Sequence, residues 1–192
     1  MQRKEINGAD RRTKYTRKAI RDALMELLNT KPYSKISVTE ICRLAEINRG
    51  TFYIHYYDVN DVLDDILNRS FSDVSDTIGH VLCPHRETCT YPLCQKVQDN
   101  TELRPLFMDD TISEKIVKKL SDTSKEIFIP YLMQHSNLTF EQAEAIFYFQ
   151  INGCLTINRL MLKNNCRDWH QIQECVDRFI RAGLKELLNN EK

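Results

Sequence analysis

The chain has 192 residues, enough for one or two domains with a real core, and its 5 Gly and 5 Pro favour long helices over short strands joined by tight turns. No apolar run reaches the ~18 residues that a membrane helix needs, so no membrane partner is expected. Net charge is zero, yet residues 1–57 hold 12 Lys+Arg against 6 Asp+Glu and residues 58–192 hold 15 against 21, so a basic N-terminal part can meet phosphates while an acidic remainder repels them.

In chain order, the polar stretch 1–12 reads as a disordered basic arm without the apolar core of a secretory signal, so a cytoplasmic location is expected. A helix is predicted from about 15 to 29. Ala19, Ile20, Ala23, Leu24, Leu27 and Leu28 form its apolar face, Arg17, Lys18 and Arg21 lie opposite, and Pro32 ends it. Ser37-Val38-Thr39-Glu40 is a capping box, opening a short helix with Val38, Ile41, Leu44 and Ala45 inward. After the turn Glu46-Ile47-Asn48, Asn48 caps a helix from Arg49 to about Tyr56. Asp58 caps a longer one, striped by Val62, Leu63, Ile66, Leu67, Phe71, Val74 and Ile78.

Residues 83–92 read as a loop, followed by helices near 93–100, 113–120 and 124–135. Thr139-Phe140-Glu141-Gln142 is a second capping box, opening a helix to about Lys163, and a final helix runs from about Asp168 to Leu188. The expected fold class is all-α: an N-terminal three-helix helix-turn-helix domain at 1–57 and a helical ligand-binding and dimerisation domain at 58–192.

A short capped helix, a three-residue turn and a second short helix at 37–57 describe a helix-turn-helix. Arg49 can bond guanine O6 and N7 in bidentate fashion. Gly50 lets the backbone approach the duplex, and Thr51 suits a base edge or thymine methyl. Tyr53 and His55 can bond phosphate oxygens, with Phe52 buried behind them. Arg17, Ser37, Thr39 and Asn48 complete the candidate DNA-binding set.

This stretch resembles the signature of the tetracycline-repressor (TetR) family. Ala45-Glu46-Ile47-Asn48 stands for its Ala-Gly-Val-Ser turn, Gly50-Thr51-Phe52-Tyr53 for its recognition helix, and Tyr56 lies near its Phe position. The resemblance spans about 13–67. It implies a homodimer, a two-fold symmetric operator and repression relieved by a small-molecule effector. Two departures stand out: Glu46 where the family has Gly, which costs of order 1 kcal/mol if φ is positive, and Val59 where it has a phosphate-meeting Lys.

The seven cysteines, an odd number, argue for reduced thiols. Cys83, His85, Cys89 and Cys94 offer four zinc ligands but lack paired C-x2-C knuckles, so plain packing on a reduced loop is the first reading, ahead of zinc and then of a thiol redox pair. No cofactor is otherwise implied. In the second half, Phe107, Met108, Phe128, Tyr131, Phe147 and Asn152 are candidates to line an effector pocket. Leu155, Ile172, Val176, Phe179, Ile180, Gly183, Leu184 and Leu187 make more apolar surface than one hairpin covers, which predicts a four-helix dimer interface. No catalytic constellation is recognisable, so an enzyme is not expected. The rival readings are an effector-binding adaptor without DNA affinity and a helical enzyme or metal-storage protein.

Overall fold

The structure is a computed structural model that describes residues 8–70, 103–164 and 168–188. Every described element is a helix, as composition implied: α1 (Gly8–Leu28), a 3-10 turn (Tyr33–Lys35), α2 (Val38–Leu44), α3 (Arg49–His55), α4 (Val59–Ser70), α5 (Arg104–Met108), α6 (Asp110–Gln134), α7 (Phe140–Lys163) and α8 (Trp169–Leu188). The chain divides into two units, 1–70 and 71–192. Among the described residues no helix is long and apolar enough to cross a membrane. The cysteine-rich stretch with Cys83, His85, Cys89 and Cys94, and the predicted helix near 93–100, lie outside the described residues.

In the first unit α1 packs against α2, α3 and α4. Ile20, Ala23 and Leu24 of α1 meet Ile41, Phe52, Val62, Leu63, Ile66 and Leu67 in a buried core. Burial of such side chains is worth about 1.5–3 kcal/mol each before chain entropy is counted. Helix α1 starts at Gly8, so part of the expected arm is helical. This compact unit runs to Ser70 and so takes in α4, whose apolar face packs on α1. Extending it to 70 adds Asp58, Asp61, Asp64 and Asp65 but only Arg69, so the basic character belongs to α1–α3. On α2 the inward positions are Ile41 and Cys42; Leu44 is exposed, contrary to expectation. Residues 38, 41, 42 and 45 share one face of a short helix, and 44 falls off it.

In the second unit α6 lies along α7, with α5 against both. Helix α6 is continuous where two helices were expected. Ser121 to Ser124 looks like a capping cluster, but the buried series Ile112, Ile116, Leu120, Ser124, Phe128 keeps a four-residue spacing through it. Ser124 donates to the Leu120 carbonyl one turn back, at 2.5 Å, which keeps its hydroxyl satisfied inside the helix. Thr139 forms its capping box with Gln142, and the Arg104 guanidinium donates to the Leu162 carbonyl at 2.9 Å, tying α5 to the end of α7.

Candidate nucleic-acid interface

The predicted capping box at Ser37 is present. Its hydroxyl accepts from the Glu40 backbone N–H at 3.4 Å, and the Ser37 N–H donates to the Glu40 carboxylate at 3.1 Å. Lys31, just before the 3-10 turn, ion-pairs with the same carboxylate. The Lys31 ammonium, then the Ser37 hydroxyl and N–H, hold the Glu40 carboxyl at about 2 against an ordinary 4.5. A depressed carboxyl contributes its stabilisation fully above its ordinary value and loses it as pH falls toward the folded value. Glu40→Gln should therefore flatten the decline in melting temperature between pH 4.5 and about 2, read from thermal melts across that range. An unchanged decline would assign the acid sensitivity to other groups.

Helix α2 ends in a Schellman turn. The Ile47 N–H donates to the Cys42 carbonyl at 3.0 Å, and the Glu46 N–H to the Arg43 carbonyl at 3.4 Å. Glu46 itself sits at φ 53°, the left-handed conformation that glycine adopts without penalty. The turn thus keeps its backbone shape and carries the steric cost. Glu46→Gly should raise stability by roughly 0.5–1 kcal/mol, the left-handed penalty less the extra entropy of glycine in the unfolded chain. Chemical denaturation would measure it, and a destabilised variant would mean that the Glu46 side chain makes a compensating contact.

Asn48 caps α3, accepting from the Thr51 N–H at 2.7 Å. Gly50 has a role inside the chain as well as toward DNA: a Cβ there would stand 3.2 Å from the Asn48 Oδ1 that makes the cap. Phe52 is fully buried, with Tyr53 edge-on to it at 5.5 Å between ring centroids. Burying Phe52 turns Arg49, Gly50, Tyr53, Ile54 and Tyr57 outward on the opposite face. Arg49 donates to the Tyr53 hydroxyl at 3.2 Å, which raises the guanidinium pKa further. Thr51 and His55 are half-buried at the flanks, while Ser37 and Thr39 are exposed at the start of α2. The Ser37 hydroxyl, however, is engaged with Glu40 at 2.8 Å.

Arg17 faces inward more than expected. Its guanidinium stacks on the Tyr56 ring at 4.8 Å, donates to the Tyr56 hydroxyl at 3.3 Å and lies 3.5 Å from Asp65, with 41% of its side chain exposed. Arg21, read as solvent-facing, is only 14% exposed and donates to Asp65 at 2.8 Å. The Tyr56 hydroxyl donates to the same Asp65 oxygen at 2.5 Å. Burial and then this bond push the Tyr56 phenol up. Burial alone would raise the Asp65 carboxyl, but Tyr56, Arg21 and Arg17 outweigh it and hold it below its ordinary value. Sequence reasoning missed this cluster. Its signal was a tyrosine at an apolar position, whose hydroxyl needs a buried partner.

The start of α4 is acidic. Asp58 caps it by accepting from the Asp61 N–H at 2.9 Å, and Asp61 accepts from the Tyr57 N–H at 3.0 Å. With Val59 beside them, these carboxylates oppose phosphate binding where the helix N-terminus would favour it.

In the second unit the six pocket candidates differ in burial. Phe107, Phe128 and Phe147 are buried as core, the last two with ring centroids 5.4 Å apart. Met108 is exposed, and Tyr131 stacks on His135 at 4.2 Å. Asn152 is exposed and donates to the Tyr148 carbonyl at 2.8 Å, its own helix one turn back. An open groove of about 670 Å³ lies elsewhere, between Ile129, Pro130 and Met133 of α6 and Phe140 of α7, rimmed by Lys125, Glu126, Gln134 and Glu144.

The dimer candidates divide. Leu155 is buried within the chain's own core, contrary to expectation. Helix α8 turns Trp169, Gln173 and Asp177 inward. Ile172, Val176, Ile180, Leu184 and Leu187 remain half-buried and Phe179 is 69% exposed. Among the described residues, and apart from its own helix backbone and chain neighbours, nothing lies within 4 Å of a Cβ placed on Gly153 or Gly183. Among the described residues no group of three or more His, Cys, Asp or Glu side chains is placed to hold a metal ion.

No family model matches the chain. An uncharacterized HTH-type transcriptional regulator, YxbF of Bacillus subtilis (strain 168), is 33% identical over 85 residues, 44% of this chain and 22% of the relative, so the match spans about a fifth of that protein's length. Among solved structures, the dihydroxyacetone kinase operon activator DhaS superposes with a TM-score of 0.61 at 18% identity, covering 91% of this chain and 98% of that one. The TetR family repressor AlkX of Dietzia sp., implicated in n-alkane biodegradation, has a TM-score of 0.49 at 14% identity, over 89% and 98% of the two chains. The helix order, the capped helix-turn-helix with its left-handed turn and the likeness to DhaS show the fold: among the described residues the chain is all-helical, with a helix-turn-helix in its N-terminal unit and a helical C-terminal unit.

Proposed function

We propose that the chain is a DNA-binding transcriptional regulator, a repressor that binds a two-fold symmetric operator as a homodimer and answers to a small-molecule effector. The observation that carries the reading is the exposed face of α3. Arg49 and Tyr53 stand outward on a short helix whose opposite face is anchored by buried Phe52 and whose N-terminus is capped by Asn48. A short helix anchored by one buried Phe that presents Arg and Tyr to solvent suits the major groove. The basic residues of α1–α3 supply the phosphate term. The half-buried apolar stripe of α8 supports the homodimer, and the effector follows from the family resemblance. A DNA-binding domain at 1–57, an effector and dimerisation domain at 58–192 and a cytoplasmic location are part of the same proposal.

A second reading, an effector-binding adaptor without DNA affinity, is favoured by one observation: the Asp58 and Asp61 carboxylates at the start of α4. Fluorescence anisotropy with the duplex that precedes the chain's own coding region separates the two. A regulator binds it with an affinity that falls about 10³-fold or more between 50 and 200 mM salt, as for six or more phosphate contacts. No binding at 50 mM salt would favour the adaptor.

A further inference from the structure

We propose that Asp65 is a positioning residue for DNA binding: through the Tyr56 hydroxyl it fixes the end of the recognition helix to α4, and through Arg17 and Arg21 it fixes α1 to the same point. The inference rests on the DNA-binding reading and adds how that surface is held and how α4 acts on it. One carboxylate oxygen, Asp65 Oδ2, gathers the Tyr56 hydroxyl at 2.5 Å, Arg21 Nη1 at 2.8 Å and Arg17 Nη2 at 3.5 Å. With the carboxylate itself on α4, these groups join α1, α4 and the C-cap of α3. Tyr56 is the C-cap of α3, so its hydroxyl ends a lever whose other arm carries Arg49 and Tyr53. Its ring is buried, which leaves the hydroxyl no water to fall back on. A buried hydroxyl without a partner is costly, so Tyr56 follows Asp65 when α4 shifts.

Arg17 is shared. It stacks on Tyr56 and lies near Asp65, yet two-fifths of its side chain is open to solvent. It therefore offers a guanidinium edge to phosphate while its orientation is set from behind. Asp65 also neutralises one of the two arginine charges, trading long-range attraction for geometry. Helix α4 belongs to the first unit, and beside its core packing and the Asp61–Tyr57 bond this carboxylate passes a displacement of α4 on to the end of α3 and to Arg17.

Two variants of the full chain test this. Tyr56→Phe keeps the ring and the Arg17 stack and removes only the hydroxyl. Asp65→Asn keeps the shape and removes the charge. The probes are a duplex enriched from a random pool by the wild-type protein and a scrambled duplex of the same composition. Tyr56→Phe should weaken binding to the enriched duplex about ten-fold, the size of one lost charge-assisted hydrogen bond, with scrambled-duplex binding unchanged. Asp65→Asn should weaken the enriched duplex similarly and strengthen the scrambled one, with a salt slope steeper by about one charge. A merely structural role would lower both affinities together, in step with a lowered melting temperature. Variants that melt as folded protein and keep the wild-type ratio of the two affinities would overturn the proposal, as would parallel loss on both duplexes. A wild-type protein that enriches no duplex would overturn the DNA-binding reading itself, and this proposal with it.

Discussion

Replacing Phe179 and Leu184 with Glu should convert the protein into monomers that bind the operator poorly. Helix α8 buries Trp169 together with polar Gln173 and Asp177 against its own chain, so part of its polar side faces inward. Phe179 stands 69% exposed beside half-buried Ile172, Val176, Ile180, Leu184 and Leu187. A contiguous apolar stripe of this kind is expected to be covered by a partner, and a two-fold axis presents the same stripe from both chains. The double variant then places four carboxylates in one interface. Each would lose its hydration without a partner, costing several kcal/mol apiece, more than such an interface can absorb. Gly153 and Gly183 add to the argument. A glycine in a helix interior costs about 1 kcal/mol relative to alanine, and among the described residues no neighbouring element lies close enough to benefit from either. Sedimentation measures the outcome. A double variant that stays dimeric would place the interface on another surface.

Arg49→Ala should cost roughly 1–3 kcal/mol of operator affinity and relax selectivity at one position in each half-site. Arg49 is the first residue of α3, where a recognition helix enters the groove. The Tyr53 hydroxyl accepts from its guanidinium at 3.2 Å, with the ring centroid 5.9 Å away, so the side chain is partly ordered before DNA arrives. Preordering lowers the entropy lost on binding and narrows the geometry to a bidentate partner such as guanine. Tyr53→Phe should thus lose more than one phosphate contact, because it also frees Arg49. Affinities for a set of singly substituted duplexes read this directly. If Arg49→Ala weakens all duplexes equally, Arg49 contacts phosphate and not a base.

The helix-turn-helix was legible because its determinants are local. Ser37 with Glu40, Asn48 with Thr51, and Asp58 with Asp61 are pairs three residues apart, and each forms as its spacing implied. The cost at Glu46 was legible too, since a Schellman turn needs a left-handed residue at that one place. What sequence could not supply was long-range. Arg17 and Asp65 are far apart in the chain and meet only because α1 and α4 pack together. The inward polar face of α8 was hidden because Ile172 and Val176 advertise the apolar stripe while Gln173 and Asp177 look like its solvent side. The merged helix α6 was missed for a local reason with a tertiary answer: Ser121 and Ser124 favour caps in isolation, but here they sit buried within an unbroken row of packed side chains.

The central claim, that the first unit reads duplex DNA by sequence, is tested most directly by enrichment from a random-sequence duplex pool at physiological salt, followed by affinity measurement on the winner and a scrambled control. The account predicts an enriched site with two-fold symmetry, its half-sites about one or more duplex turns apart, bound at least about 10³-fold more tightly than the control. An enriched pool with no common sequence, or equal affinity for the two duplexes, would contradict it.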